Sequence, residues 1–130
     1  MKRRILVVED NLVNRELLCD WLEAEGYEAL KAEDVTGAQR LLQSERPDAV
    51  LLDVQLGNED GLSLAIWMRR QLSFSGTPVI AVTAHAMVTE VQRFLQSGCN
   101  AYVSKPIDFK LLNRELEKWL VPLRKSPSRV

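Results

Sequence analysis

The chain has 130 residues, 46% of them hydrophobic, which suits one domain with a buried core and excludes two domains of ordinary size. Seventeen basic against eighteen acidic residues give a formal charge of −1, so the overall basic field that supports binding to nucleic acid or anionic membranes is missing. Two cysteines are too few for a disulfide scaffold, and the short apolar run near the start cannot form a signal peptide or membrane span, so we expect a cytoplasmic protein.

Strand and helix patterns alternate from the start of the chain. Residues 5–8 form a continuous branched apolar run, which is typical of a strand buried on both faces of a parallel sheet. A helix is predicted next, with Asn11 as its cap and Gly26 after its last turn. Its apolar side is expected to consist of Val13, Leu17, Leu18, Trp21 and Leu22.

The same alternation continues through four more strand-helix units. Strands are predicted at 27–32, 49–52, 77–82 and 101–103, and the third helix is predicted over 61–72. A hairpin signal such as Asn-Gly is missing. We therefore predict an α/β fold with a five-stranded parallel sheet, in the order 2-1-3-4-5, flanked by five helices. We expect residues 1–121 to form the domain and residues 122–130 to form a flexible basic tail.

Polar residues stand at the carboxyl ends of four predicted strands. Glu9 and Asp10 follow the first strand and Asp53 the third, while Thr83 and Lys105 end the fourth and fifth. Open parallel sheets bind ligands at this edge, where the strand order reverses. Strands one and three are neighbours in the predicted order, so we expect these five side chains to meet at one rim of the sheet.

The residue types at this rim favour a metal and a phosphoryl group. Three carboxylates repel one another by roughly 4 kcal/mol per pair at ~4 Å with an effective dielectric of ~20. Because all three offer hard oxygen ligands, Mg²⁺ is the preferred cation over Ca²⁺ or Zn²⁺. Lys105 and Thr83 add the donors that phosphoryl oxygens use. The set is suited to phosphoryl transfer onto Asp53 as an acyl phosphate.

The chain resembles the receiver domains (CheY-like, with a flavodoxin-like fold) of two-component response regulators over about residues 3–121. Four segments carry the resemblance, in the family's order: Val7-Val8-Glu9-Asp10-Asn11, Leu51-Leu52-Asp53, Val82-Thr83-Ala84 and Lys105-Pro106. Asp10, Asp53, Thr83 and Lys105 are separated by 43, 30 and 22 positions. The segment from Thr83 to Met87 is similar to that of single-domain regulators of the DivK kind and of receivers in hybrid histidine kinases.

The resemblance implies a role for each metal-site residue. Asp53 would be the phosphoacceptor. Asp10 and Asp53 would ligate Mg²⁺ together with the backbone carbonyl of Gln55, and Glu9 would hold the ion through water. Two positions depart from the family pattern: Glu9 replaces the commoner aspartate, and Gly57 stands where the family often has proline.

The resemblance also implies a switch. Thr83 and Lys105 would contact the phosphoryl oxygens, and the peptide between Lys105 and Pro106 is expected to be cis. Tyr102 matches the aromatic switch position, so we expect Thr83 to move inward on phosphorylation and Tyr102 to follow it.

The expected function is signalling through partners. The resemblance implies a histidine kinase or histidine phosphotransfer protein as the phosphoryl donor and an output protein that the sequence does not name. Direct contact with nucleic acid or membrane is not expected, and a monomer or weak dimer is. We do not expect an enzyme, beyond self-phosphorylation from small donors and self-dephosphorylation.

Three other functions stay open on the sequence. A phosphorylation-independent adaptor would use the same fold. A phosphatase of the haloacid dehalogenase type also has a strand-end aspartate, but its second acid would stand where this chain has Gln55. A flavodoxin-like electron carrier would need a phosphate-cradling Ser/Thr/Gly loop after the first strand, where Asp10 and Asn11 stand.

Overall fold

A computed structural model describes residues 2–125, with side chains described over residues 2–120. Strands and helices alternate within these residues. The strands are β1 (Arg4–Val8), β2 (Glu28–Ala32), β3 (Ala49–Asp53), β4 (Gln55–Leu56), β5 (Glu59–Asp60), β6 (Val79–Thr83) and β7 (Ala101–Ser104). The helices are α1 (Leu12–Ala24), α2 (Val35–Glu45), α3 (Leu62–Arg69), α4 (Val88–Gln96) and α5 (Phe109–Lys125), with one 3₁₀ turn, η1 (Leu72–Phe74).

Five of the strands form one parallel sheet in the order β2-β1-β3-β6-β7. Because β6 and β7 are the fourth and fifth predicted strands, the predicted order 2-1-3-4-5 is confirmed. The order reverses at β1, which has β2 on one side and β3 on the other. The edge at the carboxyl ends of β1 and β3 is therefore the switch point where the polar residues were expected.

Side chains along β1 alternate between the two layers of the core. Ile5 and Val7 pack with α1 and α5, whereas Leu6 and Val8 pack with α2, α3 and α4. All four are buried, as the continuous apolar run predicts for a central parallel strand. The predicted cap is also present, since the Asn11 side chain accepts a hydrogen bond from the Asn14 N–H at the start of α1. Among the described residues, no helix combines the length and apolarity needed to cross a bilayer.

The prediction that the chain contains no hairpin is wrong. β4 and β5 form an antiparallel pair after β3, in register Gln55↔Asp60 and Leu56↔Glu59. Gly57 and Asn58 make its two-residue turn, and Gly57 adopts a φ of +60°, a conformation that glycine accepts without steric cost. Gly-Asn is itself a hairpin turn signal, although less familiar than Asn-Gly, so the sequence does contain a hairpin pattern at this point.

Two helices differ from their predictions. Val13 and Leu17 were expected on the buried side of α1 but are exposed. The buried side of this helix carries Leu18, Cys19 and Leu22, and the helical turn of 100° per residue places Val13 and Leu17 outside it. α3 ends at Arg69 rather than at residue 72, and the chain then enters η1, where Phe74 is buried and stacks against Trp67 with ring centroids 5.7 Å apart. The end of α3 thus gives way to a turn that fills the core.

The predicted tail begins inside the last helix. The backbone of residues 122–125 forms the end of α5, whose bounds are Phe109–Lys125. Residues 126–130, the rest of the predicted tail, lie outside the described residues.

Candidate functional site

The parallel register brings the carboxyl ends of four strands to one edge. Val8 of β1 pairs with Leu52, and the next pair, Asp53 with Val82, joins β3 to β6. Thr83 then pairs with Ser104 of β7. These pairings place the last residues of the four strands side by side, and the polar residues that follow them enclose a cavity of about 270 Å³.

Six of the seven predicted site residues line this cavity. They are Glu9, Asp10, Asp53, Gln55, Thr83 and Lys105. Tyr102 does not line it: its side chain is exposed on β7, and its ring centroid lies 6.5 Å from that of Phe94 in α4. This is the surface position from which the predicted inward movement of Tyr102 would begin.

Three carboxylates meet in the cavity. Oxygens of Glu9, Asp10 and Asp53 lie within 4.8 Å of one another. Glu9 and Asp53 are only 2% and 6% exposed, whereas Asp10 is open to solvent. Two buried carboxylates and one exposed carboxylate can ligate a hard divalent cation and leave room for its water ligands. The donor chemistry therefore fits Mg²⁺.

Lys105 is the cation that faces these carboxylates. Its Nζ donates to Asp53 Oδ2 at 2.9 Å and to Glu9 Oε1 at 3.2 Å. Burial lowers the pKa of the Lys105 ammonium, but the hydrogen bond and charge of Asp53, together with Glu9, outweigh burial and raise that pKa. The peptide between Lys105 and Pro106 is cis, which confirms the prediction.

The surroundings of Glu9 raise the pKa of its carboxyl group. Burial raises its pKa to about 7, and the neighbouring Asp53 adds to this rise. The Asn11 N–H, which donates to Glu9 Oε2 at 3.1 Å, and the charge of Lys105 act in the opposite direction. Glu9 therefore exchanges its proton near neutral pH when no metal ion shares the cavity.

Thr83 is held by the loop that follows β6. Its Oγ1 accepts a hydrogen bond from the His85 N–H at 3.0 Å and is placed to donate to the His85 carbonyl at 3.1 Å. The Thr83 side chain is buried, and it borders the acceptor cavity with Ala84. His85 instead lines a neighbouring cavity between the β4–β5 hairpin and α4.

The hairpin fixes the segment after Asp53. The Gln55 N–H donates to Asp53 Oδ1 at 3.0 Å, so the backbone of β4 holds the acceptor carboxylate. A Cβ built on Gly57 would lie 3.6 Å from Asp10 Oδ2, so the turn of the hairpin borders the carboxylate cluster. Proline, which the family often has at this position, fixes φ near −65° and could not adopt the φ of Gly57.

Two site features were missed by the sequence reasoning. Asn11 and Asn14 also line the cavity, and the available signal was their spacing of three on the first turn of a helix that starts at the rim. A Cβ at Gly61 would lie 2.2 Å from the Asp53 carbonyl oxygen, and the Gly61 N–H donates to the Val54 carbonyl at 2.7 Å. In the sequence this glycine is only the first residue of the predicted helix 61–72, and nothing there marks its close approach to Asp53.

Comparison with known proteins identifies the family of the chain. Residues 5–117 match the family model of the response regulator receiver domain. The chain belongs to this family. The polar-differentiation response regulator DivK of Brucella anthropi is 38% identical over 120 residues, covering 92% of this chain and 98% of that protein. DivK of Brucella ovis is 37% identical over the same length and with the same coverage.

Solved structures give the same result for the fold. The signal receiver domain of a histidine kinase from Syntrophus aciditrophicus superposes with a TM-score of 0.86 at 29% identity, covering 98% of this chain and 97% of that chain. The chemotaxis protein CheY4 of Vibrio cholerae has a TM-score of 0.87 at 24% identity, with coverage of 92% and 100%, and shares the fold. This receiver domain thus belongs to a signalling family of two-component regulators, similar to DivK.

Proposed function

We propose that this receiver accepts a phosphoryl group on Asp53 and that the phosphorylated form changes its affinity for partner proteins. One observation carries the proposal: Asp53 is a nearly buried carboxylate, hydrogen-bonded to Lys105, in a cavity that it shares with two other carboxylates. A buried acid that served the fold alone would need no such crowding of like charge, which costs stability.

The metal in this proposal is Mg²⁺. Asp10 and Asp53 would hold it with the carbonyl oxygen of Gln55, and Glu9 would hold it through water. When bound, Mg²⁺ would supply the positive charge that offsets the carboxylates and the incoming phosphoryl oxygens. The support in this chain is the set of hard oxygen donors within 4.8 Å of one another.

The transfer step needs little from the protein beyond position and charge. An oxygen of the Asp53 carboxylate forms the new O–P bond while the N–P bond of a phosphohistidine donor breaks, and the electron pair of that bond returns to the histidine nitrogen. Lys105 moves from a carboxylate oxygen to a phosphoryl oxygen as negative charge builds there. A general base is not required, because the ionised carboxylate itself attacks phosphorus.

Thr83 and Tyr102 form the proposed switch. The Thr83 hydroxyl would leave its hydrogen bonds with His85 and donate to a phosphoryl oxygen. Its movement would make room for the Tyr102 ring and change the surface formed by α4, β7 and α5. Shifting such an equilibrium from 1:99 to 99:1 takes about 5.5 kcal/mol of differential stabilisation, which several charge-assisted contacts can supply.

The donor would be a histidine kinase or a histidine phosphotransfer protein that docks beside the cavity. An apolar groove of about 520 Å³ shares Glu9, Asn14 and Lys105 with the acceptor cavity. Leu17 of α1 and Phe109 of α5 line the groove. A protein donor must bring its phosphorus to Asp53, so it covers the adjoining surface, and this groove offers it apolar contact area.

The proposal is tested by phosphorylation from a small donor. The parent protein incubated with acetyl phosphate and Mg²⁺ should gain the mass of one phosphoryl group, and the gain should disappear with EDTA and in Asp53→Asn. Asp20→Asn, a substitution of an exposed aspartate in α1, should keep the full gain. Phosphorylation of Asp53→Asn as extensive as that of the parent would contradict the assignment.

A further inference from the structure

A second cavity separates the hairpin that follows Asp53 from α4. It measures about 410 Å³ and lies between β4–β5 on one side and the start of α4 on the other. One ion pair spans it among the described residues: Arg93 Nη2 lies 2.5 Å from Asp60 Oδ2. Glu90, one turn earlier on α4, also accepts from Arg93 at 3.2 Å and so holds the guanidinium toward the cavity.

Asp60 links this ion pair to the backbone around the acceptor. Its Oδ1 accepts a hydrogen bond from the Leu62 N–H at 3.0 Å, which fixes the carboxylate at the start of α3. Asp60 also pairs across the hairpin with Gln55, whose N–H donates to Asp53 Oδ1. A continuous path of contacts therefore leads from α4 through Arg93, Asp60 and Gln55 to the acceptor carboxylate.

The other end of this path lies at an exposed surface. Met87 and Val88, at the start of α4, are exposed apolar residues. A displacement of α4 at this surface would pull on Arg93, and a displacement of the hairpin would push on it. The path through Thr83 and Tyr102 reaches α4 by a different route, along β6 and β7.

We infer that Arg93 is a positioning residue, which through Asp60 holds the hairpin in the geometry that binds Mg²⁺ and couples α4 to the acceptor site. The inference rests on the proposed function of Asp53. By linkage, whatever moves α4 then changes the affinity for Mg²⁺, and Mg²⁺ changes the stability of α4. Because Arg93 and Asp60 are 47% and 53% exposed, the expected coupling is modest, about two- to fivefold in affinity.

The test is a double-mutant cycle read by Mg²⁺ titration of the full chain, using the metal alone as the probe. Arg93→Gln and Asp60→Asn should each weaken Mg²⁺ binding about two- to fivefold, and the double variant should bind no more weakly than either single variant. Asn at position 60 keeps the oxygen that accepts from Leu62, so the start of α3 is preserved. Arg93→Lys should retain most of the affinity.

The sign of the change separates positioning from a plain charge effect. Removing the positive Arg93 should tighten Mg²⁺ binding if only charge matters, whereas removing the negative Asp60 should weaken it. Positioning predicts weaker binding in both variants. Arg40→Gln removes an exposed arginine of α2 that lines neither cavity, so it is the matched control and should bind like the parent.

Amide hydrogen exchange gives the second measurement. Mg²⁺ should slow exchange over residues 53–61 and residues 88–96 in the parent. In Arg93→Gln the slowing should persist over residues 53–61 and disappear over residues 88–96. Urea unfolding of each variant verifies that the fold is intact.

Three results would overturn the inference: opposite signs for Arg93→Gln and Asp60→Asn, additive losses in the double variant, or a slowing of exchange by Mg²⁺ over residues 88–96 that persists in Arg93→Gln. Each of these leaves the acceptor role of Asp53 standing, because the parent still binds Mg²⁺ and is still phosphorylated. Failure of the parent itself to bind Mg²⁺ would instead refute the proposed function, and the coupling with it.

Discussion

The protonation of Glu9 should depend on whether the cavity holds a metal ion. Its carboxyl group is nearly buried beside the Asp53 carboxylate. The Lys105 ammonium contacts both carboxylates. Burial and the neighbouring Asp53 keep the pKa of Glu9 near 7. In the absence of metal, a proton on Glu9 therefore takes over part of the charge compensation that the site requires.

The stability of the metal-free protein should depend on this proton. The pKa of Glu9 rises from 4.5 to about 7 on folding, so its favourable contribution is complete below pH 4.5 and is lost as the pH rises through 7. Glu9→Gln resembles the protonated form at every pH. In EDTA, the unfolding free energy of Glu9→Gln relative to the parent should increase by about 1–3 kcal/mol from pH 5 to pH 8.

Urea unfolding at several pH values measures this difference. The matched control is Glu33→Gln, a substitution of an exposed glutamate, whose difference from the parent should stay within about 0.5 kcal/mol across the range. Parallel curves for Glu9→Gln and the parent would show that Glu9 does not titrate in this range.

Gly61 packs so closely against the backbone of Asp53 that a side chain has no room there. A Cβ at this position would lie 2.2 Å from the Asp53 carbonyl oxygen, a contact that only a backbone shift can relieve. Gly61→Ala should therefore lower the unfolding free energy by about 1–3 kcal/mol and weaken Mg²⁺ binding, because the shift moves Asp53 itself. Gly76→Ala, where a Cβ meets nothing within 4 Å, should change neither quantity measurably. Equal effects of the two substitutions in urea unfolding and Mg²⁺ titration would contradict this reading.

At the scale of the elements, the β4–β5 hairpin is the feature that the sequence described least well. Each strand has only two residues, which is too short for alternation of apolar and polar side chains to be recognised. Local hydrogen bonds hold its two ends, from the Gln55 N–H to Asp53 and from the Leu62 N–H to Asp60. Contacts with distant parts of the chain add to them, such as that of Arg93 with Asp60. Periodicity predicts strands and helices that bury one face. This hairpin is fixed mainly by hydrogen bonds at its two ends, which leave no periodic pattern in the sequence.

The same limit applies to α1. Helical spacing correctly grouped Val13 and Leu17 with the apolar residues of the helix, but burial depends on which element lies opposite. The buried side of α1 runs through Leu18 and Leu22, and Leu17 lies outside it. Leu17 is therefore 56% exposed and lines the apolar groove beside the acceptor cavity. An apolar residue that periodicity assigns to a core can thus belong to a binding surface.

Leu17→Glu should separate protein donors from small donors. A charge in the apolar groove should slow transfer from a phosphorylated histidine phosphotransfer protein that is active on the parent by about tenfold or more, because the donor would cover Leu17 in the proposed complex. Phosphorylation by acetyl phosphate, which needs no docking surface, should stay within twofold of the parent. Leu72→Glu, on η1 and 92% exposed, places the same charge outside the groove and should leave both rates unchanged. Equal slowing by Leu17→Glu and Leu72→Glu would remove the groove from the donor interface.

For the whole molecule, most of the architecture and of the site could be predicted because one rule connects them. Parallel strands buried on both faces leave a strong apolar signal, and their carboxyl ends lie at one edge by construction. Residues as distant in the chain as Glu9 and Lys105 could therefore be assigned to one cavity from the sequence, and Lys105 Nζ lies 3.2 Å from Glu9 Oε1. Contacts that depend on exact distances, such as that between Arg93 and Asp60, leave no comparable pattern in the sequence.

Folding brings the charged groups of the site together, so the stability of the protein should depend on Mg²⁺. The three carboxylates of the site come within 4.8 Å only in the folded chain, so Mg²⁺ should bind the folded state far better than the unfolded state. At ten times its dissociation constant, Mg²⁺ should raise the unfolding free energy of the parent by about 1.4 kcal/mol, with saturation following RT ln(1 + [Mg²⁺]/Kd).

Asp10→Asn should make the protein more stable without the metal and less responsive to it. It removes one of the repelling charges, so in EDTA it should be about 1 kcal/mol more stable than the parent, and it should gain little from Mg²⁺. Asp20→Asn lies on an exposed part of α1 and should keep the full response, and KCl of equal ionic strength should not replace Mg²⁺ in either protein. Urea unfolding with and without the metal measures all of these differences. If Asp10→Asn were stabilised by Mg²⁺ as strongly as the parent, the ion would bind elsewhere on the molecule, and the carboxylate cluster would be no more than a cost that the fold tolerates.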